Sequence, residues 1–405
     1  MDAGKIAFIP GGTVTSPEGF FAGATYAGIK KAEGSLDLGI LFSEAPCVTA
    51  GLFTSSKVKS APVKLCQERL KKGRAEAVVV NSGCANAYTG EQGLVDAAKM
   101  AALAAEGTGV SSEDVLVAST GVTGRLLPME LIKAGIDQIT LSRDGGHELA
   151  KAIMTTDTVP KEAAVAVRTG DSEFTIGGVA KGSGMIHPNL ATMFCFLTTD
   201  AKVELGFLKS ALRKAVDVSF NMVSLDGDTS PSDTVLLMAN GLAGKEPIIT
   251  GSQQAETFQQ ALDQICIYLA KALARDGEGA TKLIEVTVDG ARSVAEARLA
   301  AKAVVSSTLV KTAVHGGDPN WGRVIMALGN SGVEVAEAKI DLYIGDVGVL
   351  KGGRVLPFSE ESAVRALNQS EVTIRLHLNL DTASATAWGC DLSEEFVTIN
   401  SEYTT

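Results

Sequence analysis

The segment Lys181-Gly182-Ser183-Gly184-Met185-Ile186-His187-Pro188-Asn189-Leu190-Ala191-Thr192-Met193-Phe194 holds the residue types best suited to covalent chemistry. A small residue, Ala191, precedes a threonine where a glycine-rich loop gives way to an apolar run over 193–197. That junction suits an intramolecular N→O acyl shift: the Thr192 hydroxyl attacks the carbonyl of the residue before it, and Ala191 leaves room for the attack. Hydrolysis of the resulting ester leaves Thr192 with a free α-amine beside its hydroxyl. Such an amine titrates near ~8, so at neutral pH it can take the hydroxyl proton, directly or through a water, without a His or Asp partner. A chain with only four histidines can therefore still run nucleophilic catalysis. By spacing alone, the same junction also fits an ordinary loop-to-strand connection.

Other candidates weigh less by themselves. Ser119-Thr120-Gly121 reads as a turn after a strand, and Glu278, between two glycines, as a solvated loop charge. His187 has no second His, Cys or acid at ligand spacing, so no metal is expected. The string Gly316-Gly317-Asp318-Pro319-Asn320-Trp321-Gly322-Arg323 suits an anion but lacks the Lys-Ser/Thr ending of a phosphate loop, and is read as a structural loop near an interdomain surface. Asp226-Gly227-Asp228 is too short for a calcium loop and is read as a turn lining the core.

The elements that must position these residues alternate between helix and strand patterns. Short β-like runs are expected over 38–42, 49–54 and 75–80, a helix over 90–105, and a buried strand over 115–118 that opens into the Thr120 turn. Pro128 suits the first turn of a further helix. Strands over 174–179 and 193–197 bracket the Thr192 loop, and a long amphipathic helix follows over 255–274. A strand over 283–288, a helix over 293–306 and a β-rich tail with strands over 340–344 and 373–378 come last. A chain of 405 residues exceeds what one core usually organises, so a catalytic layered domain over 1–282 and a smaller C-terminal domain over 283–405 are expected in an α/β fold.

Composition narrows the function classes. A net charge of −11, with no basic run longer than the pairs Lys30-Lys31 and Lys71-Lys72, argues against nucleic acid and anionic membrane as partners. No apolar stretch approaches the ~20 residues of a membrane span. The N-terminus has neither the layout of a signal peptide nor that of a transit peptide, so a cytoplasmic location is expected. The six cysteines (Cys47, Cys66, Cys84, Cys195, Cys266, Cys390) are widely spaced, several in apolar runs, and read as buried free thiols.

Taken together, the motifs resemble the ornithine acetyltransferase (glutamate N-acetyltransferase) family of self-cleaving enzymes. The resemblance runs from Lys181 to Met193 and extends to Gly11-Gly12-Thr13, Val80-Asn81-Ser82-Gly83-Cys84-Ala85-Asn86-Ala87, Ser119-Thr120-Gly121-Val122 and Thr155-Thr156-Asp157-Thr158. Asp226-Gly227-Asp228-Thr229-Ser230, Gly277-Glu278-Gly279-Ala280-Thr281-Lys282, the Gly316 string and the C-terminal Asn400 and Thr405 fit as well. It implies cleavage between Ala191 and Thr192 into an α chain (1–191) and a β chain (192–405), with Thr192 as nucleophile and Thr120 and Gly121 as the oxyanion hole. Thr155 (in preference to Thr156), Lys181, Thr192, Glu278, Asn400 and Thr405 are the implied substrate-binding positions. A cation such as Lys181 suits an α-carboxylate, and Glu278 suits the ammonium of ornithine.

The implied reaction is ping-pong transfer of acetyl from N-acetylornithine to glutamate within arginine biosynthesis, without a cofactor. Whether acetyl-CoA is a further donor stays open. The resemblance further implies an α2β2 heterotetramer and a sandwich of helices and sheets related to that of self-processing aminopeptidases.

Overall fold

The computed structural model describes residues 5–170, 172–187, 193–244 and 246–402. Ala191, Thr192 and Thr405 lie outside the described residues, so what was expected of their placement is not addressed by it.

The fold is mixed α/β, with two sheets among the described residues. The larger has the spatial order Lys5–Phe8, Lys161–Thr169, Ser172–Lys181, Phe194–Thr199, Thr234–Ala239, Leu38–Phe53, Arg74–Asn81, Val115–Ser119, with Phe20–Thr25 paired to Leu38–Phe53 off this path. The smaller runs Arg354–Val355, Val347–Lys351, Asp341–Ile344, Glu371–His377, Leu283–Ala291, Ala383–Cys390, Val223–Ser224. Strands flanked by covering elements on both faces need not alternate in polarity, and the Phe194–Thr199 and Thr234–Ala239 strands are buried at every position.

The helix Gln253–Arg275 packs on the Lys161–Thr169 and Ser172–Lys181 strands. Its buried residues Ala255, Phe258, Ala261, Leu262, Ile265, Cys266, Leu269 and Leu273 recur at three- and four-residue steps, which puts them on one face. Ser252 starts the helix by accepting from the Ala255 N–H at 3.1 Å. Val294–Val305, capped by Ser293, covers the second sheet in the same way, and one apolar cluster joins residues of both sheets.

One expectation changes. The runs at 38–42 and 49–54 are not separate strands but parts of one strand, Leu38–Phe53. Ser43, between the two runs, is fully buried with its hydroxyl on the Ala45 carbonyl at 2.8 Å, and pairing with Arg74–Asn81 merely shifts register between Phe42 and Cys47. The Gly316 string is the joint between helices Thr308–Gly316 and Trp321–Gly329. Gly317 ends the first at φ 65°, and Arg323 Nη1 donates to the Leu309 carbonyl at 2.9 Å and the Thr312 hydroxyl at 3.2 Å, tying the helices together. The six cysteines are free and buried, and burial pushes the Cys47 thiol up to about 12 and the Cys66 thiol up to about 11.

Candidate active site

Strand register sets the frame of the site. Lys181 pairs with Phe194, Phe194 with Thr234, and Thr234 with Phe53, so four strands end on one rung. The loops that continue from this rung hold Gly182–Gly184, Met193 and Asp233.

On one side of the rung lies a buried polar cluster. Lys181, 3% exposed, donates to the Thr155 hydroxyl at 2.8 Å and stands 3.9 Å from Asp157. Asp157 also accepts from Lys161 at 2.7 Å, from the Gly182 N–H at 2.7 Å and from the Thr155 N–H at 3.0 Å. Lys161 is shared with Asp276 at 2.5 Å, and Asp276 takes the Thr158 N–H at 3.0 Å. Burial alone would raise the Asp157 carboxyl; Lys181 and Lys161 outweigh it and hold it at about 2. Burial lowers the Lys181 ammonium, and Asp157 opposes that shift. Thr156 turns to the Ser183 hydroxyl at 2.7 Å, so of the two adjacent threonines it is Thr155 that shares a site with Lys181.

Glu278 is brought beside this cluster by backbone contact. Its N–H donates to the Ser183 carbonyl at 2.9 Å, and a Cβ on Gly184 would lie 2.5 Å from its carboxylate. Asn400, on the helix Glu394–Glu402, donates to the same carboxylate at 2.8 Å. That helix is positioned by Ser393, whose hydroxyl donates to the Gly279 carbonyl at 2.6 Å, and by Gly279 itself, where a Cβ would meet the Phe396 nitrogen at 2.5 Å. Asp226 accepts from the Met185 N–H and, at 3.0 Å, from the Asp228 N–H. Burial, helped by Asp228 and Glu278, raises its carboxyl to about 6 against those hydrogen bonds.

Thr120 and Gly121 reach the same end of the molecule through a chain of contacts. The Thr120 N–H donates to the Asn81 carbonyl at 3.1 Å. Gly121, at φ 120°, lies so close that a Cβ would meet the Gly83 carbonyl carbon at 2.5 Å. The Ser82 hydroxyl donates at 2.5 Å to the Ala152 carbonyl, three residues before Thr155. On the other flank, Ala61 N–H donates to the Asn86 carbonyl and Ser60 N–H to the Pro231 carbonyl, which leads to Asp233. Asp233 is 1% exposed and accepts from the Met193 N–H at 3.2 Å, the peptide that follows Thr192 in the chain. Burial pushes its carboxyl well above the usual carboxylate range.

The structure thus brings Thr155, Lys181, Glu278 and Asn400 together beside the strand ends leading to Met193, and links Thr120 and Gly121 to them through Asn81, Ser82 and Gly83. Reading the sequence missed Asp233, Lys161 and Asp276, which are spread along the chain with no local signal. Asp157 stood inside a recognised motif but had no role. His187 contacts Ser224 at 3.1 Å, its imidazole is lowered by burial, and no group of metal-ligating side chains occurs among the described residues.

The family model described as the ArgJ family matches residues 21–405. The chain belongs to the ArgJ family. It is 50% identical over 402 residues to the arginine biosynthesis bifunctional protein ArgJ of Dehalococcoides mccartyi, covering 99% of each chain. It is 51% identical to the protein of the same description from Symbiobacterium thermophilum, over 97% of this chain and 99% of the relative. A solved ArgJ structure from Bacillus halodurans is 46% identical with a TM-score of 0.50, matched over 98% of its chain by 51% of this one. The resemblance drawn from the motifs therefore holds across the ArgJ-family chain, and the protein is an enzyme of this kind. No helix among its described residues is long and apolar enough to cross a membrane.

Proposed function

We propose that this ArgJ-family protein is a self-cleaving acetyltransferase that moves acetyl from N-acetylornithine to glutamate through an acetyl-Thr192 intermediate. The observation that carries the reading is the convergence of Lys181 with Thr155 and of Glu278 with Asn400 at the strand ends leading into Met193. That pairing suits an amino acid with an α-carboxylate and a cationic side chain, which is consistent with relatives described as arginine biosynthesis proteins.

In self-cleavage, an Oγ–C bond forms between Thr192 and the Ala191 carbonyl, the C–N bond breaks, and the hydroxyl proton ends on the nitrogen. Water then hydrolyses the ester, leaving chains 1–191 and 192–405. A solved relative whose whole chain corresponds to about half of this one supports such a division. In catalysis the Thr192 amine takes the Oγ proton, Oγ bonds to the acetyl carbon, and the oxyanion faces the Thr120 hydroxyl and the Gly121 N–H. The acetyl C–N bond breaks as that proton passes to the ornithine nitrogen. Glutamate's α-amine then attacks the ester and returns the proton to Oγ.

The substrates' α-carboxylate is assigned to Lys181 with Thr155, and the ornithine ammonium to Glu278 with Asn400; Thr405 completes the substrate contacts. The division into a layered domain (1–282) and a C-terminal domain (283–405), the α2β2 assembly, the cytoplasmic location and the absence of a cofactor belong to the same proposal. Because the relatives are described as bifunctional, acetylation of glutamate from acetyl-CoA is its second part.

The test is a denaturing gel with transfer assays on the parent and Thr192→Ala. The parent is expected as two chains active with N-acetylornithine, and the variant as one uncut, inactive chain. An active Thr192→Ala protein would remove the mechanism. Acetyl-CoA offered in place of N-acetylornithine decides the second activity.

A further inference from the structure

On the reading proposed above, on which this inference rests, one pocket must accept two side chains of opposite charge. N-acetylornithine ends in an ammonium and glutamate in a carboxylate. Glu278 suits the first and repels the second. Lys181 is engaged with Thr155 and Asp157 and matches the α-carboxylate common to both substrates. The acceptor's second carboxylate therefore needs a cation that the donor does not.

Lys30 has the required placement. It lies half-buried in the segment between the strands Phe20–Thr25 and Leu38–Phe53. The Asp37 carboxylate, itself fully buried, shapes that segment by accepting from the N–H groups of Ala27 (2.7 Å), Ile29 (2.6 Å) and Lys30 (3.0 Å). Asp37 thus spends its oxygens on backbone. The Lys30 ammonium donates to the Leu36 carbonyl at 2.9 Å and, among the described residues, pairs with no carboxylate at ion-pair distance.

The backbone of this segment lies against Gly83, the neighbour of the oxyanion candidate Gly121. A Cβ on Gly83 would come within 3.1 Å of the Ile29 carbonyl and the Lys30 nitrogen, and Gly83 in turn lies against Gly121. The Lys30 charge also faces Lys181 and Asp157. Burial is the main influence on it, lowering the ammonium to about 8, while Asp37 opposes and Lys181 reinforces the shift. A partly desolvated cation with no carboxylate at ion-pair distance, next to a second cation, is an arrangement completed by an added carboxylate.

We propose that Lys30 is the acceptor-specificity residue of this enzyme, binding the side-chain carboxylate of glutamate while Lys181 holds the α-carboxylate. N-acetylornithine has no group that requires it.

The experiment is steady-state kinetics of acetyl transfer on the full, self-cleaved protein with Lys30→Met, which keeps most of the side chain's length, and Lys30→Arg, which keeps the charge. Lys30→Met is expected to raise KM for glutamate about tenfold, the scale of one hydrogen bond to a charged group, and to leave KM for N-acetylornithine within about twofold. Lys30→Arg should restore most of the loss. The preference of the parent for glutamate over glutamine, judged by kcat/KM, should collapse by the same factor in Lys30→Met.

A glutamate KM that does not move, or two KM values that rise together, overturns the assignment. Should Lys30→Met fail to fold, the parent carries the test. Glutamate and glutamine share the attacking α-amine, so their kcat/KM ratio isolates the side-chain charge. That ratio should fall as pH rises past the Lys30 value of about 8. A ratio constant from about pH 7 to about pH 9 overturns the assignment as well. A parent that forms no N-acetylglutamate would overturn the underlying reading and this assignment together. A parent active with glutamate, whose acceptor choice ignores Lys30→Met, overturns only the assignment.

Discussion

Asp157 shows how much of the site depends on one carboxylate. It is the shared acceptor for Lys161, the Gly182 N–H and the Thr155 N–H, and it faces Lys181, so the residues assigned to the substrate's α-carboxylate are held from behind by its charge. Its carboxyl, held at about 2, lies below the ~4 of an unfolded aspartate. The stability it contributes is therefore fully present above about pH 4 and is lost as pH falls through about 2. Asp157→Asn leaves Lys161 and Lys181 with one buried carboxylate fewer and is expected to lower stability by about 3–5 kcal/mol near neutral pH. It should also flatten the acid dependence over that window. Denaturant unfolding of parent and variant at several pH values checks both; equal acid dependence would mean that the charge of Asp157 is not what binds the cluster. Little of this was legible in the sequence: the motif Thr155-Thr156-Asp157-Thr158 was recognisable, but its partner Asp276 lies over a hundred residues away.

Among the elements, the turn after the strand Val115–Ser119 illustrates where sequence reading and geometry meet. Ser119-Thr120-Gly121 suggested a turn, and a turn is found, but its shape follows from the close approach of Gly121 to Gly83 at φ 120°, a backbone conformation that side chains with a Cβ rarely adopt. Gly121→Ala is expected to push the Thr120 turn away from Gly83 and to reduce acetyl transfer by about 10²–10³, the cost of one misplaced oxyanion donor. Thr120→Ala should slow transfer on a similar scale while leaving the melting temperature nearly unchanged. Assays of kcat beside thermal melts separate the two effects; a Gly121→Ala protein as fast as the parent would remove the oxyanion assignment. The long strand Leu38–Phe53 shows the opposite relation. The sequence showed two runs because what buries Ser43 between them, including the Asn240 amide that donates to its hydroxyl at 3.4 Å, comes from outside the local sequence.

For the molecule as a whole, the site depends on the chain's end returning to its middle. Asp391 accepts from the Thr281 and Lys282 N–H groups, both at 2.8 Å, and meets His315 at 2.8 Å, while Ser393 reaches Gly279. These contacts lay the helix Glu394–Glu402 beside Glu278 although the helix has no fully buried residue of its own. A chain ending at Ser393 is therefore expected to melt close to the parent temperature but to raise KM for N-acetylornithine about tenfold or more, because the Asn400 hydrogen bond to Glu278 is lost. Kinetics and melting on that truncated protein check this, and an unchanged KM would place Asn400 outside substrate binding.

What the sequence determined by itself was the chemistry on offer and the alternation of elements. A threonine behind a small residue, glycine-rich loops and helical or strand periodicity are local properties, and the residues that carry them can be named without coordinates. Only the tertiary structure decided which of those residues share a site. Lys181 with Thr155, Glu278 with Gly184 and Asn400, and Lys30 with Gly83 meet through strand register and backbone contacts between distant segments. Charge, burial and pairing depend on neighbours in space. For that reason Lys30, legible only as half of a short basic pair, gains its meaning from the half-buried position beside Gly83 that the fold gives it, with no carboxylate at ion-pair distance among the described residues.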